Sequence, residues 1–281
     1  MASIELVVTG IYCFVDDTLK ANPGWADWRT SNHSEPAFTD AEVITIALLQ
    51  GHLGGATLKG AYRYVAENLR GAFPRLCSYQ QWVARLHALT PIVGLLLRAS
   101  VLSHTMPERL YLMDSKPIPV CKPIRHGRVR LLSDEGAYFG KNRYGWFYGF
   151  KLHLLTHHSG VILGALLTPG NVDDRDPALA LAWGVQGGVT LADLGYPGEA
   201  FEAELLEESG MLLITPKHAG PKGSPRRALV SGLRERIETT FSSLWNQFVD
   251  RVFSRSWNGL RNTIKLKLLY YNLRQVDLLP V

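Results

Sequence analysis

Two short apolar runs in this chain each lead into an aspartate, and no other feature limits its possible folds as much. Arg109 to Met113 leads into Asp114, and Gly188 to Ala192 leads into Asp193. Short apolar runs bounded by turn-forming residues read as buried strands. A charge at the end of such a run is poor core material. It suits the carboxyl edge of a sheet, where α/β proteins place their chemistry. If the two strands are neighbours, their carboxylates meet. Like charges at short range repel, so the pair calls for a cation. Hard oxygen donors without a nearby Cys or paired His point to Mg²⁺ or Mn²⁺ rather than zinc.

The elements around these runs support an α/β reading. Phe147 to Thr156 and Val161 to Thr168 read as strands, joined by the turn His157-His158-Ser159-Gly160. Pro177 to Trp183 and Ala200 to Ser209 read as helices, Met211 to Ile214 as a strand, Leu229 to Val249 as a long helix and Asn262 to Leu273 as a last helix. This order predicts a mixed sheet. The long helix offers a third acid, Glu238. Leu233, Ile237, Phe241 and Leu244 mark its buried stripe, and Arg234, Glu238 and Trp245 lie on a flank of that stripe. Arg234 stands one turn before Glu238, where it can hold that carboxylate or reach a phosphate.

The first ~105 residues read as helical, by the same periodicity argument. Thr39-Asp40-Ala41-Glu42 has capping-box spacing. Further helices are predicted to start near Thr57 and Ser78, with Pro91 opening another over Ile92 to Leu102. Short helices with tight connections suit a helix-turn-helix DNA reader, with Arg85, Gln80 and Gln81 as candidates to face a groove. A plain bundle for support or dimerisation fits equally well. The expected division is 1–105 and 106–281.

Charge separates these halves. Residues 1–100 hold eight Lys and Arg against eight Asp and Glu, leaving 22 of the 30 basic and 17 of the 25 acidic residues to the remainder. Two blocks are especially basic. One includes Lys116, Lys122, Arg125, Arg128, Arg130, Lys141, Arg143 and Lys151; the other includes Lys217, Lys222, Arg226, Arg227, Arg234 and Arg236. Such blocks suit phosphate neutralisation, or form a solvated, salt-bridged surface. The three cysteines, Cys13, Cys77 and Cys121, are too few and too scattered for a disulfide framework or a thiolate zinc site. No apolar stretch approaches the roughly 20 residues of a membrane span, and no leader is read at the N-terminus. The chain is expected to be cytoplasmic and nearly complete.

Three other groups stand out. The acidic loop Asn171-Val172-Asp173-Asp174-Arg175-Asp176 lacks the ligand order of an EF-hand and reads as a turn and helix cap. His153 and His157 read as packed or solvated histidines. Tyr144, Trp146, Phe147 and Tyr148 stand beside Lys141, Arg143 and Lys151, as stacking platforms for unpaired bases or as strand core; Trp245 is a further stacking candidate.

The chain resembles the transposases of bacterial insertion sequences of the 982 group, within the DDE superfamily. The resemblance is carried by Met113-Asp114-Ser115-Lys116-Pro117-Ile118-Pro119-Val120-Cys121 followed by Arg125, by Tyr144-Gly145-Trp146-Phe147-Tyr148-Gly149-Phe150-Lys151-Leu152-His153, by Ala192-Asp193-Leu194-Gly195-Tyr196, and by Arg234-x-x-Ile237-Glu238-Thr239-x-Phe241-Ser242-x-Leu244. It implies a ribonuclease H-like mixed sheet flanked by helices, preceded by a small helical domain. It also implies that Asp114, Asp193 and Glu238 bind two Mg²⁺ ions, with Mn²⁺ as a substitute, to cut DNA at the element's ends and join 3′-hydroxyls to a target. Lys116, Arg125, Arg128, Lys141, Arg143, Lys151, Arg234 and Trp245 are then expected along the DNA, and the resemblance keeps Asp174 as a candidate to support the metal ligands from behind. A homodimer on double-stranded DNA and no small-molecule cofactor are further expectations. Related groups carry Tyr-x2-Arg-x3-Glu-x6-Lys around the third acid; here Ser231 stands for the Tyr and Trp245 for the Lys. A metal-dependent nuclease without strand transfer, and an inactive DNA-binding relic, remain the alternatives.

Overall fold

The computed structural model describes residues 3–26, 36–54, 57–102, 106–142, 144–193, 195–196, 198–244 and 254–279, without the side chains at 26, 216, 219, 226, 229, 233, 234, 236 and 244. It divides into two compact units, Met1–His104 with Asn258–Val281, and Thr105–Trp257.

The first unit is helical: α1 (Ile4–Ala21), α2 (Asp40–His52), α3 (Leu58–Asn68), α4 (Tyr79–Ala88), α5 (Thr90–Leu102) and, from the far end of the chain, a last helix over Trp257–Gln275. Caps set the starts as the sequence predicts. Thr39 and Glu42 form a reciprocal capping box, Ser78 and Gln81 form another, and the Thr57 hydroxyl accepts from the Gly60 N–H. The α1 stripe Val7, Val8, Ile11 and Val15 is buried, whereas α2 is buried almost all round, as a central helix must be. The Trp82 indole N–H donates to the Val43 carbonyl at 3.1 Å. Gly51 lies so close to the Tyr270 ring that a Cβ there would overlap it.

Two expectations change in this unit. The last helix was expected with the catalytic sheet, but Leu266, Leu269, Tyr270 and Leu273 belong to the helical core, and Lys265 and Asn262 donate to the carbonyls of Thr90 and Leu86. Arg85 was a candidate to face DNA, yet its guanidinium bonds the Phe38 carbonyl, pairs with Asp40 Oδ1 at 2.7 Å and lies over the Phe38 ring. Arg85→Ala is therefore expected to lower stability by about 2 kcal/mol, because a half-buried acceptor pair loses its donor. Its affinity for non-specific duplex should equal that of the unsubstituted protein. Urea unfolding and a binding titration check both, and a large loss of DNA affinity would restore the reading role.

The second unit runs β1 (Leu110–Cys121), a one-turn α6 (His126–Val129), β2 (Tyr138–Asn142), β3 (Gly145–His157), β4 (Ile162–Pro169), α7 (Arg175–Ala182), β5 (Gly188–Leu191), α8 (Glu199–Ser209), β6 (Met211–Ile214) and α9 (Pro225–Leu244). The helix of the C-terminus is α10. One six-stranded sheet has the order β2-β3-β1-β5-β6, with β4 continuing along the same edge of β3 as β2. β1 is antiparallel to β3 and parallel to β5, and β6 is parallel to β5. α7 and α8 cover one face through Ala178, Leu181, Phe201 and Leu205, against Met113, Leu155 and Met211. α9 packs beside β1 and β5 with Ile237 and Phe241 buried. This mixed, helix-flanked sheet is the ribonuclease H-like arrangement. β1 extends well beyond the short strand expected to end at Asp114, because β3 pairs with it as far as Cys121. No single helix among the described residues is long and apolar enough to cross a membrane.

Candidate active site

The parallel pairing of β1 with β5 stops at Leu112 opposite Leu191. Asp114 stands two residues beyond that pair within β1, and Asp193 two residues beyond it, just past the end of β5. The two strands that lead to the aspartates are therefore neighbours, although Asp114 lies inside its strand rather than at its end. Among the described residues, β3 pairs with β1 at Asp114 and β5 does not.

Alternation along β1 divides its side chains between the two faces. Lys116 shares the face of Asp114, and its ammonium is 3.9 Å from Asp114 Oδ2 and 5.5 Å above the Phe241 ring of α9. Ser115 points the other way, where its hydroxyl donates to Asp174 Oδ2 at 3.0 Å. The Ser115 N–H donates to Asp114 Oδ1 at 2.7 Å. Burial pushes the Asp114 carboxyl up to about 6, and the charges of Asp193 and Asp174 push the same way; Lys116 and the Ser115 N–H offset part of this.

Asp174 does not act as the cap that its loop suggests, and its contacts fit the supporting place that the resemblance keeps for it. It occupies the cap position of α7 but makes no side-chain cap bond. Its carboxylate instead spans two strands, accepting from Ser115 on β1 and from the Lys151 ammonium on β3. The turn and cap reading holds for Asp173, which accepts from the backbone N–H of Arg175 and pairs with its guanidinium. Its carboxyl is held down at about 2, by the Arg175 hydrogen bonds first. His153, buried on β3, bonds Thr168 Oγ1 at 2.8 Å and keeps Nδ1 3.8 Å from Asp174 Oδ1. Burial pushes this imidazole down to about 4, so it is neutral at physiological pH.

The other candidates divide. Glu238 is exposed on α9, one turn before Phe241, whose ring carries Lys116. Arg125, Arg128 and Lys141 are exposed. The aromatic group splits: Tyr144 and Trp146 are exposed, Phe147 and Tyr148 are buried, and Lys141 lies 5.7 Å from the Trp146 ring centre. Arg143, Trp245 and the Arg234 side chain lie outside the described residues. An open cleft of about 370 Å³ is lined by Lys141, Trp146, Lys151, Asp173, Asp174 and Gly195, and so borders the acidic cluster.

Among the described residues, Glu108, His157 and His158 also have metal-ligand spacing, with ligand atoms within 4.8 Å of one another. Both His157 nitrogens are already used: Nε2 meets the Glu108 carbonyl at 2.8 Å, and Nδ1 accepts from the Ser159 N–H at 3.2 Å. This group closes the hairpin turn.

The family described as "Transposase DDE domain" matches residues 104–248, just over half of the chain, a span that includes Asp114, Asp174, Asp193 and Glu238. The chain belongs to the DDE transposase family. The match is to the domain; the 982 group stays with the sequence resemblance. No curated protein matches. Among solved structures, the "Mos1 transposase paired-end complex with left transposon end" is similar at a TM-score of 0.25 and 14% identity, over 89% of this chain and 82% of that one. A likeness this low carries no weight for the chemistry of this transposase.

Proposed function

We propose that this transposase cuts DNA at the ends of an insertion sequence and transfers the 3′-hydroxyl ends into target DNA, with Asp114, Asp193 and Glu238 holding two Mg²⁺ ions. The observation that carries the reading is the placement of Asp114 and Asp193, each two residues past the Leu112–Leu191 pair that ends the pairing of the parallel strands β1 and β5. The donor set fits a hard divalent cation. It is made of carboxylate oxygens, and the half-buried Asp114 is crowded by like charge that a cation would relieve. When bound, two such ions activate a water or 3′-hydroxyl and steady the leaving oxygen of the phosphodiester.

The chain's own residues then position the DNA. Lys116, between Asp114 and Phe241, is placed to meet a phosphate at the scissile position. Lys141 and Trp146 line the adjoining cleft, where a strand end can lie with a base against the exposed indole. Arg125 and Arg128 extend the basic surface on the segment after β1, and Lys151 acts through Asp174. Binding should weaken steeply with salt, since phosphate neutralisation releases counterions. Arg85, the groove candidate of the helical unit, is used internally, which suits support or pairing of two copies on DNA better than base reading.

The test uses Mg²⁺, a labelled duplex carrying an end of the flanking element, and a supercoiled target plasmid. Joined products are expected, and Glu238→Gln should lower their yield by at least about 10²-fold, as loss of an electrostatic contributor does. Cleavage without joining in the unsubstituted protein would favour a nuclease, and DNA binding with no metal-dependent product a relic. Full joining by Glu238→Gln would remove Glu238 from the site.

A further inference from the structure

Tyr196 lies three residues after Asp193, and its backbone N–H donates to the Asp193 carbonyl at 3.2 Å. Its ring is buried with Met113 and Ala192, the residues that immediately precede the two aspartates, and with Tyr111 and Phe201. Only 2% of the residue is exposed, yet its hydroxyl has no hydrogen-bond partner among the described residues. A phenol is nearly always satisfied when buried, because an unmade bond leaves the full desolvation cost. The packed ring fixes this donor beside Met113 and Ala192, the residues that lead into the two aspartates.

We propose that Tyr196 is a positioning residue for the divalent-ion site, whose hydroxyl donates to an oxygen, most simply a water, that an ion on Asp114 and Asp193 brings with it. The inference rests on the metal-dependent reading above. Mg²⁺ keeps several of its waters when carboxylates bind it, and groups that orient such ligands set affinity by 10- to 100-fold in metal sites generally. Such a bond gives this buried hydroxyl a partner.

The probe is Mn²⁺ alone, titrated into the full chain by calorimetry and by the paramagnetic signal of the free ion, with urea unfolding of each metal-free protein alongside. Tyr196→Phe keeps the ring and removes only the oxygen. It should be at least as stable as the unsubstituted protein without metal, and should bind Mn²⁺ roughly tenfold more weakly. A structural hydroxyl gives the opposite pattern, lost metal-free stability with unchanged Mn²⁺ affinity, and either half of that pattern overturns the proposal. Asp114→Asn distinguishes the levels of failure. If the unsubstituted protein binds no Mn²⁺, the metal-dependent reading falls and takes this role with it. If binding depends on Asp114 but not on the Tyr196 oxygen, only the tyrosine assignment falls.

Discussion

Asp114→Asn is expected to remove metal-dependent DNA cleavage by at least ~10³-fold while making the metal-free protein more stable near neutral pH. The two effects share one cause. Burial and the neighbouring aspartates raise this carboxyl from 3.8 to about 6. Between those values the native state holds a proton that the unfolded chain has released, so stability falls as pH rises through the window. Above it the charged carboxylate costs the metal-free fold up to about 3 kcal/mol, taking two units at 1.36 each. An amide carries no such cost. The variant should thus gain up to that amount near pH 7.5, and the gain should vanish below about pH 4, where both states of the carboxyl are protonated. His153 works in the other direction. Its folded value is depressed to about 4, so its contribution is present above the unfolded value of 6.5 and lost as pH falls through the folded one. It is common to both proteins and largely cancels in their difference. Urea unfolding at the two pH values, with and without Mg²⁺, reads the stability, and plasmid nicking reads the activity. Magnesium should stabilise the unsubstituted protein and leave the variant unmoved. A variant less stable than its parent at pH 7.5, or one that still cuts at the parental rate, would contradict this account of the site.

How much of the molecule was legible in its sequence depends on how local each signal is. Asp114 and Asp193 are marked by the apolar runs before them, and the caps at Thr39, Thr57 and Ser78 are three- or four-residue signals. The core strands β3 and β4 declared themselves by their apolar residues. The short β2 did not, because Tyr138–Asn142 holds a glycine and two polar residues and is defined by its pairing with β3. α10 looked like the end of the catalytic domain because periodicity reports that a face is buried, not what covers it. Asp174 sat in a loop with the composition of a cap, while its partners lie 59 and 23 residues away on β1 and β3.

The second large effect is expected at Asp174. Its carboxylate is the joint between Ser115, next to Asp114, and Lys151, whose ammonium is largely shielded from water. Pro117 is the β1 partner of Lys151 and Ser115 that of His153, so this one side chain ties the two strands together across the segment that carries Asp114. Asp174→Asn keeps the shape but leaves the ammonium without its counterion. Breaking a buried pair by one partner costs about 3–5 kcal/mol, and at this partly exposed pair about 2 kcal/mol is expected. Cleavage should fall by roughly 10- to 100-fold, the usual effect of disturbing a group that orients a metal ligand. Lys151→Met should do nearly the same, and the double variant should be no worse than the poorer single one, because both remove the same joint. Additive losses would mean that the two residues act separately. Mn²⁺ binding decides what Asp174 does for the ion. A tenfold weakening fits a residue that acts through Ser115 and Asp114, whereas a loss as complete as that in Asp114→Asn would make Asp174 a ligand in its own right. Unchanged affinity with a full loss of stability would reduce it to a strand clamp, and the acidic cluster would then consist of the two aspartates at the β1–β5 edge and Glu238.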